Sequence, residues 1–441
     1  MALILVPFKY KDDLLKHIPP MFLNSEDGSE DYSWFLNAPG FTTFRVNVKK
    51  YKVQDLVDII DKQFIEETEA QNKHPPKIFI HKIINDCIVV SRWKHDCREN
   101  LCEYDVIVDV ACANAVLRGA DIFAPGILSI STNAKVGDKV NVFADLERNC
   151  RRGFNKKFTG KSLLIGTGTV KVSRNELFKN NATVRGVGVE VDWNLSGIPK
   201  IKLPEDSGLL QNFPSIVCGH MFKNITGNVL DMCAAPGNKA THIATILGNK
   251  GEVIALDKTA DRVSKIGKLS ERFGLTNLKY YLYDATKCIM EDMSESNANH
   301  LGPPFMKESF PAVLLDPPCS ALGQRPSLMN NISSSQLKSY VFLQRQLLRS
   351  AIKALSKGGL LVYSTCTITL EENEEMVSWA LKQFPELSLK RVEPSIGYPG
   401  LQESSLTKNE REMVSRFGLP RGSTVDEDTI GFFIACFNKN V

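Results

Sequence analysis

The chain has no cysteine pair at the CxxC spacing and no Cys/His set spaced like a zinc ligand frame, although eleven cysteines occur among its 441 residues. Their irregular spacing argues against a disulfide scaffold or a metal site, and for reduced thiols in a cytoplasmic protein. Long hydrophobic runs are missing too: no segment is apolar and long enough to span a bilayer. The N-terminal "MALILVPFKYKDD" has too short an apolar run, with no basic residue before it, to be a secretory leader. No membrane partner is expected. There is no internal repeat, low-complexity tract, GxGxxG loop or Walker loop. Charge of one sign is scarce as well, with a net charge of +4 and a pI near 8.4. That balance permits a nucleic-acid partner but does not require one. The seven histidines, His242 included, show no ligand pattern and read as structural or exposed.

The length exceeds one ordinary core, and the pattern changes along the chain. Residues 1–103 combine an amphipathic helical stretch, "VQDLVDIIDKQFIEETEA", with the strand-like "FTTFRVNV" and a break at Pro75 and Pro76. They are expected to fold irregularly and to pack on the C-terminal unit. Residues 104–195 hold short β runs separated by glycines, such as "YDVIVDVA", "GDKVNVFADL" and "GVGVEVDW", which predict a small β-barrel. Residues 205–441 alternate strands with helices, the pattern of an α/β, doubly wound, mainly parallel sheet. Its strands are "GNVLDMCA", "GEVIALDK", "LKYYLYDA", "FPAVLLDPP" and "GGLLVYSTC", with "TIGFFIACF" closing it, while "MSESNANHLGPP" reads as a surface loop.

Ligands of such sheets bind beyond the carboxyl ends of the strands, and each end here carries a useful group. The first runs into "DMCAAPGNKATH", where Cys233, Ala234, Ala235, Pro236, Gly237 and Asn238 allow close backbone approach and Lys239 enters the next helix. The second ends at Asp257, twenty residues after Gly237, the spacing of an acid that grips a ribose diol. The third ends at Asp284, suited to an adenine amino group. Acids at strand ends can be solvated caps, but three in order, without a pyrophosphate loop, fit an adenosine with a short cationic tail: S-adenosylmethionine. The fourth strand ends in "LLDPPCS", whose two prolines stiffen the turn that presents Asp316 and Cys319. The fifth ends at Cys366, in "YSTCTITLEENEE". Thr369 and Glu372 there match a capping box, which predicts a helix starting just after Cys366 and a field that favours a thiolate; Glu371, Glu372 and Glu374 oppose that field. A lone strand-end cysteine is usually inert packing. A second one on the neighbouring loop changes that reading.

"DMCAAPGNKATH", "LLDPPCS" and "YSTCTI…EENE", with "FRVN" upstream, resemble the Sun-domain (RsmB/Nop-type) RNA cytosine-C5 methyltransferases. "NAVLRGADIFAPGILSI…AKVGDKVNVF…GTGTV…GVGVEV" resembles a PUA domain, an RNA-binding β-barrel. The resemblance implies a Rossmann-like S-adenosylmethionine-dependent methyltransferase sheet with an inserted PUA domain. A PUA insertion is similar to that of the family's tRNA methyltransferase, which acts near the 3′ end of the acceptor stem. It further implies Cys366 as the nucleophile that adds to carbon 6 of cytosine, and Cys319 as the residue that assists release. Asp316 would accept from the cytosine amino group, with Lys239 holding that carboxylate. The reverse use of the two thiols is known from DNA cytosine methyltransferases, so their order rests on the resemblance. Asn238 and Ala240 stand where glycine and threonine are usual, and Ala321-Leu322 where Gly-Met occurs.

Arg148, Arg151, Arg152, Lys156 and Lys157 crowd one segment, "RNCRRGFNKKFTGK", interleaved with Phe154 and Phe158. In a PUA-like barrel this predicts a phosphate-contacting loop. Gly119, Ala120, Pro125 and Gly126 are expected, by analogy, to build the turn that receives an unpaired 3′ end. The alternatives are a catalytically silent RNA-binding adaptor and an enzyme of the same chemistry acting on rRNA. A monomer is expected.

Overall fold

The computed structural model describes residues 5–23, 30–71, 74–93, 101–178, 184–290, 302–420 and 422–440; most of the expected loop "MSESNANHLGPP" lies outside them. Near the N-terminus, β1 (Phe41–Val46), helix α1 (Val53–Gln71), β2 (Ile78–Ile80) and β3 (Cys87–Ser91) form an antiparallel layer. Leu56, Ile60 and Phe64, four residues apart, share the helix face that buries against Phe44, Val46, Ile88 and Val90.

The chain then builds a six-stranded sheet from β4 (Tyr104–Val108), helix α2 (Val110–Val116), β5 (Ile122–Phe123), β6 (Ile127–Ile130), β7 (Lys139–Asp145), β8 (Ser162–Val170) and β9 (Val187–Asn194). Its order is β5-β9-β8-β7-β4-β6. Its two outer strands, β5 and β6, are joined by the single turn Ala124–Gly126, so the chain itself links the ends of the path. After this excursion β10 (Gly208–Leu210) returns to pair with β1, completing the first sheet in the order β10-β1-β3-β2.

Helix α3 (Phe213–His220) leads into the large sheet: β11 (Val229–Asp231), α4 (Asn238–Leu247), β12 (Val253–Asp257), α5 (Ala260–Phe273), β13 (Leu278–Leu282), β14 (Phe310–Leu315), α6 (Ser334–Ala354) and β15 (Leu355–Thr365). The chain ends with α7 (Glu374–Gln383), β16 (Leu387–Lys390), β17 (Ser415–Phe417) and β18 (Phe432–Lys439). The order β13-β12-β11-β14-β15-β18-β16 is parallel through β15 and antiparallel at β18 and β16. The short strands β16 and β17 add to the single closing strand that the sequence suggests.

Both faces of this sheet are buried, so the strands read as continuous apolar runs. Val229, Val253, Leu314 and Val362 face Ile216, Ile243 and Ile266, whereas Leu230, Ile254, Leu315 and Tyr363 face Leu347, Leu348 and Val377. The N-terminal layer is pinned to it through Asp86, whose carboxylate accepts from Nε2 of His220 at 2.7 Å and of His242 at 2.8 Å. His242 is therefore a buried structural residue. Strand order reverses between β11 and β14, which places a crevice beyond their carboxyl ends.

Candidate active site

That crevice is a cleft of about 380 Å³ whose wall includes Asp231, Lys239, Asp316 and Cys366. Asp231, Asp316 and Cys366 stand at or just past strand ends, and Lys239 stands in the first turn of α4. The turn from β11 to α4 bends at Gly237, whose φ of +109° lies in the left-handed region and whose α-carbon faces Ile266. Asn238 is already the first helical residue, so the left-handed position falls to the glycine and asparagine is tolerated beside it. Ala321, by contrast, adopts φ +55°, where a Cβ costs about 1–2 kcal/mol and the family's usual glycine would not.

Lys239 Nζ donates to Asp316 Oδ2 at 2.7 Å and Ser364 Oγ donates to Asp316 Oδ1 at 2.8 Å, so both carboxylate oxygens are oriented. Burial pulls the Lys239 ammonium down, but the adjacent Asp316 carboxylate outweighs it and holds the lysine charged above its usual range. Cys319 and Cys366 lie with their sulfurs 3.5 Å apart. The hydrogen bond with the Cys319 thiol lowers the Cys366 pKa and so makes it more acidic, against burial and the Asp316 charge. Cys319 itself is pushed well up by the same bond and by burial. The thiolate-favouring group is this neighbour and not a helix end: α7 begins only at Glu374, with no side-chain cap, which corrects the expected capping box at Thr369. Glu374 is paired with Arg416 inside the protein and Glu371 with His17, so neither acid faces the thiol as an isolated charge.

Asp257 and Asp284 stand outside this cleft wall. Asp257 at the end of β12 accepts from the backbone of Thr259 and pairs with Arg262 at 3.2 Å, and Arg262 also donates to the carbonyl of Ala235. Asp284 is exposed and uses Oδ1 to cap its own turn at Thr286. Cys233 is a thiol pushed well up by burial and the charge of Asp231.

Sequence reasoning missed two cleft residues. Asp231 is 1% exposed and neither carboxylate oxygen has a partner; burial, then the Asp316 charge, raises it to about 7. The signal was present as an acid closing the first strand, but burial without a partner cannot be read from sequence. Arg118, just after α2, reaches the cleft wall and donates to the carbonyl of Pro326 at 2.9 Å, which brings a charge from the six-stranded sheet's unit to the site.

In the basic segment Arg148, Arg151, Lys156 and Lys157 are exposed. Arg152 is exposed too, and its guanidinium also donates to the carbonyls of Ala124, Pro125, Ile127 and Leu177 and stacks over Phe178, so it braces the loop as well as adding to its charge. Gly119, with φ +93°, and Ala120 form the turn after α2, while Pro125 and Gly126 form the turn between β5 and β6.

A buried, unpartnered carboxylate beside close-approach backbone suits a cationic adenosine derivative, and Asp231 and the 233–239 turn are the cleft residues that would hold it. Fold and site together define an S-adenosylmethionine-dependent methyltransferase. The family described as 16S rRNA methyltransferase RsmB/F matches residues 223–438, and the PUA domain matches residues 104–192. The chain belongs to this RNA cytosine-C5 methyltransferase family. It is 38% identical over 434 residues to the human protein described as tRNA (cytosine(72)-C(5))-methyltransferase NSUN6, covering 91% of this chain and 89% of that protein. A tRNA (cytosine(72)-C(5))-methyltransferase of Pyrococcus horikoshii is 34% identical over 306 residues, covering 67% of this chain and 68% of that one. The crystal structure of NSun6 from Pyrococcus horikoshii with SFG, an S-adenosylmethionine analogue, superposes with a TM-score of 0.66 at 28% identity, covering 92% of each chain.

The orphaned acid gives a testable pH dependence. Asp231 is neutral below about pH 7 and ionised above it, so affinity for a cationic cofactor is expected to rise as pH increases through 7. Asp231→Asn should weaken cofactor binding by roughly 10- to 100-fold above pH 7, the worth of a hydrogen bond to a charged group, and flatten this dependence. Calorimetric titration on either side of neutrality checks both.

Proposed function

We propose that the protein forms 5-methylcytosine in tRNA, near the 3′ end of the acceptor stem, as a cytoplasmic monomer. The observation that carries the chemistry is the thiol pair 3.5 Å apart, of which Cys366 faces the cleft shared with Asp316 and Lys239. The similarity to tRNA methyltransferases along nearly the whole chain, PUA unit included, supports the substrate. Among the described residues no helix is long and apolar enough to cross a membrane.

Carbon 5 of cytosine is too weak a nucleophile to take a methyl group unaided. Cys366 adds as thiolate to carbon 6, which makes carbon 5 an enamine carbon. S-adenosylmethionine supplies an electrophilic methyl on a sulfonium. Asp316 accepts from the exocyclic amino group, a contact uracil cannot offer, and Lys239 and Ser364 fix the angle of that carboxylate. Cys319, whose sulfur is 3.5 Å from that of Cys366, is assigned to removal of the carbon 5 proton once it has released its own proton to solvent after the adduct forms; elimination then expels Cys366 as thiolate. A target base must leave its stack to enter, which is easiest near a helix end. All four reactive side chains are assembled, and this disfavours a silent adaptor.

Bisulfite sequencing of total RNA incubated with the purified protein and S-adenosylmethionine tests the proposal. New 5-methylcytosine in tRNA is expected; its appearance in rRNA alone would overturn the substrate, and its absence everywhere the activity. For RNA docking, replacing Arg151, Lys156 and Lys157 with alanine should weaken tRNA binding and reduce the salt slope by about 0.7–0.9 for each phosphate no longer neutralised. Arg152→Ala should instead lower stability, seen in thermal melts, because four carbonyls lose their donor.

A further inference from the structure

Glu372, six residues past Cys366, is fully buried and has no cationic partner among the described residues. Its carboxylate collects four donors from three parts of the chain. Ser320 supplies its N–H at 2.9 Å and its hydroxyl at 2.5 Å, Gln344 of α6 its amide at 2.9 Å, and Thr369 its hydroxyl at 3.0 Å. The same Gln344 amide reaches the carbonyl of Pro318 at 3.0 Å, and the Tyr363 hydroxyl donates to the Glu372 carbonyl at 2.7 Å. Ser320, on one side of Cys319, is thus held by the Glu372 side chain; Pro318, on the other, is held by Gln344, which bridges to Glu372; and the strand leading to Cys366 is held through the Glu372 backbone carbonyl. Glu374, two residues on, is equally buried but has Arg416 against it. A buried carboxylate left without a cation is costly, and its field acts on whatever lies beside it.

Cys319 is what lies beside it. The charged or titratable groups acting on Cys319 are Cys366, Glu372, Tyr340 and Tyr363, while Cys366 is acted on by Cys319, Asp316, Lys239 and Arg118. Glu372 thus stands on the Cys319 side without a cation, whereas on the Cys366 side the opposing Asp316 carboxylate is paired with Lys239, and Arg118 adds a positive charge. We propose that Glu372 is a positioning residue: it locks the two loops at the observed thiol spacing, and its lone negative charge keeps the shared proton on Cys319 and the anion on Cys366. This rests on the assignment of Cys366 as nucleophile.

The test is brief alkylation of the full-length protein with iodoacetamide near neutral pH, followed by peptide mapping of Cys319 against Cys366. The wild-type label is expected mainly on Cys366. Glu372→Gln should shift the Cys319 to Cys366 ratio at least tenfold toward Cys319 and lower kcat, with the KM for S-adenosylmethionine little changed. Glu372→Asp, which keeps the charge, should restore the Cys366 preference. Gln344→Lys, which leaves the carboxylate in place and sets a cation beside it, should shift the label as Glu372→Gln does, so the question survives if that variant fails to fold. An unchanged ratio in either variant overturns the proposal. Failure of the nucleophile assignment would show separately, as methyl transfer persisting in Cys366→Ala.

Discussion

Cys366→Ala is expected to lose methyl transfer by roughly 10⁴-fold or more, the scale of removing a covalent nucleophile, and to form no covalent complex with RNA. Cys319→Ala is expected to do the opposite on a denaturing gel: a protein–RNA adduct accumulates. The asymmetry follows from the site. Cys366 faces the cleft, and the contact between the two thiols lowers its pKa while raising that of Cys319. A thiolate is the stronger nucleophile, and this polarity supports the role proposed for Cys366. Without Cys319 the addition loses the neighbour that favours the thiolate and is expected to slow, but Cys366 and Asp316 remain to carry it; the step that frees Cys366 loses the group assigned to take the carbon 5 proton, and the enzyme stalls while bonded to its product. An adduct with Cys366→Ala and none with Cys319→Ala would exchange the two roles.

Asp316→Asn should reduce kcat/KM by about 10²–10³-fold, the usual loss when one preorganised polar contact to the reacting group is removed. The amide keeps the shape of the carboxylate but cannot accept at both positions, and Lys239, 13% exposed at its side chain, loses the anion that keeps it charged. Lys239→Met should show a loss of similar order by freeing the carboxylate to turn. Single-turnover methyl transfer with labelled cofactor separates these effects from cofactor binding. A variant of either kind with near wild-type kcat/KM would remove the pair from base recognition.

Much of this site was legible in the sequence because a parallel sheet delivers its chemistry at strand ends, and strand ends are local features. "VLDMCAAPG", "LLDPPC" and "YSTC" each combine an apolar run with a change of composition, and the order of the strands then brings Lys239, Asp316 and Cys366 to one cleft. What stayed hidden depends on neighbours distant in sequence. Thr369 and Glu372 have capping-box spacing, yet Glu372 turns to Ser320, fifty-two residues away, and the helix starts later. Arg152 looked like any other cation in a basic run until Ala124, Pro125 and Ile127 supplied carbonyls for it. Asp231 was one acid among many, and only its burial without a partner marks it. Asn238 shows the reverse case, a departure from the family pattern that the backbone absorbs because Gly237 takes the left-handed turn.

Strand β1 pairs on one side with β3 and on the other with β10, and the six-stranded sheet is the loop of chain between those two strands. That unit therefore leaves and re-enters through the two lanes that flank β1 in a single sheet, and a body moored at two points has lost most of the swivel that a single linker would allow. Arg118, donating to the Pro326 carbonyl, adds a third mooring. An RNA end seated on a unit so fastened would meet Cys366 at a set distance, and the choice of nucleotide would become a measurement of length, made with the protein as the ruler.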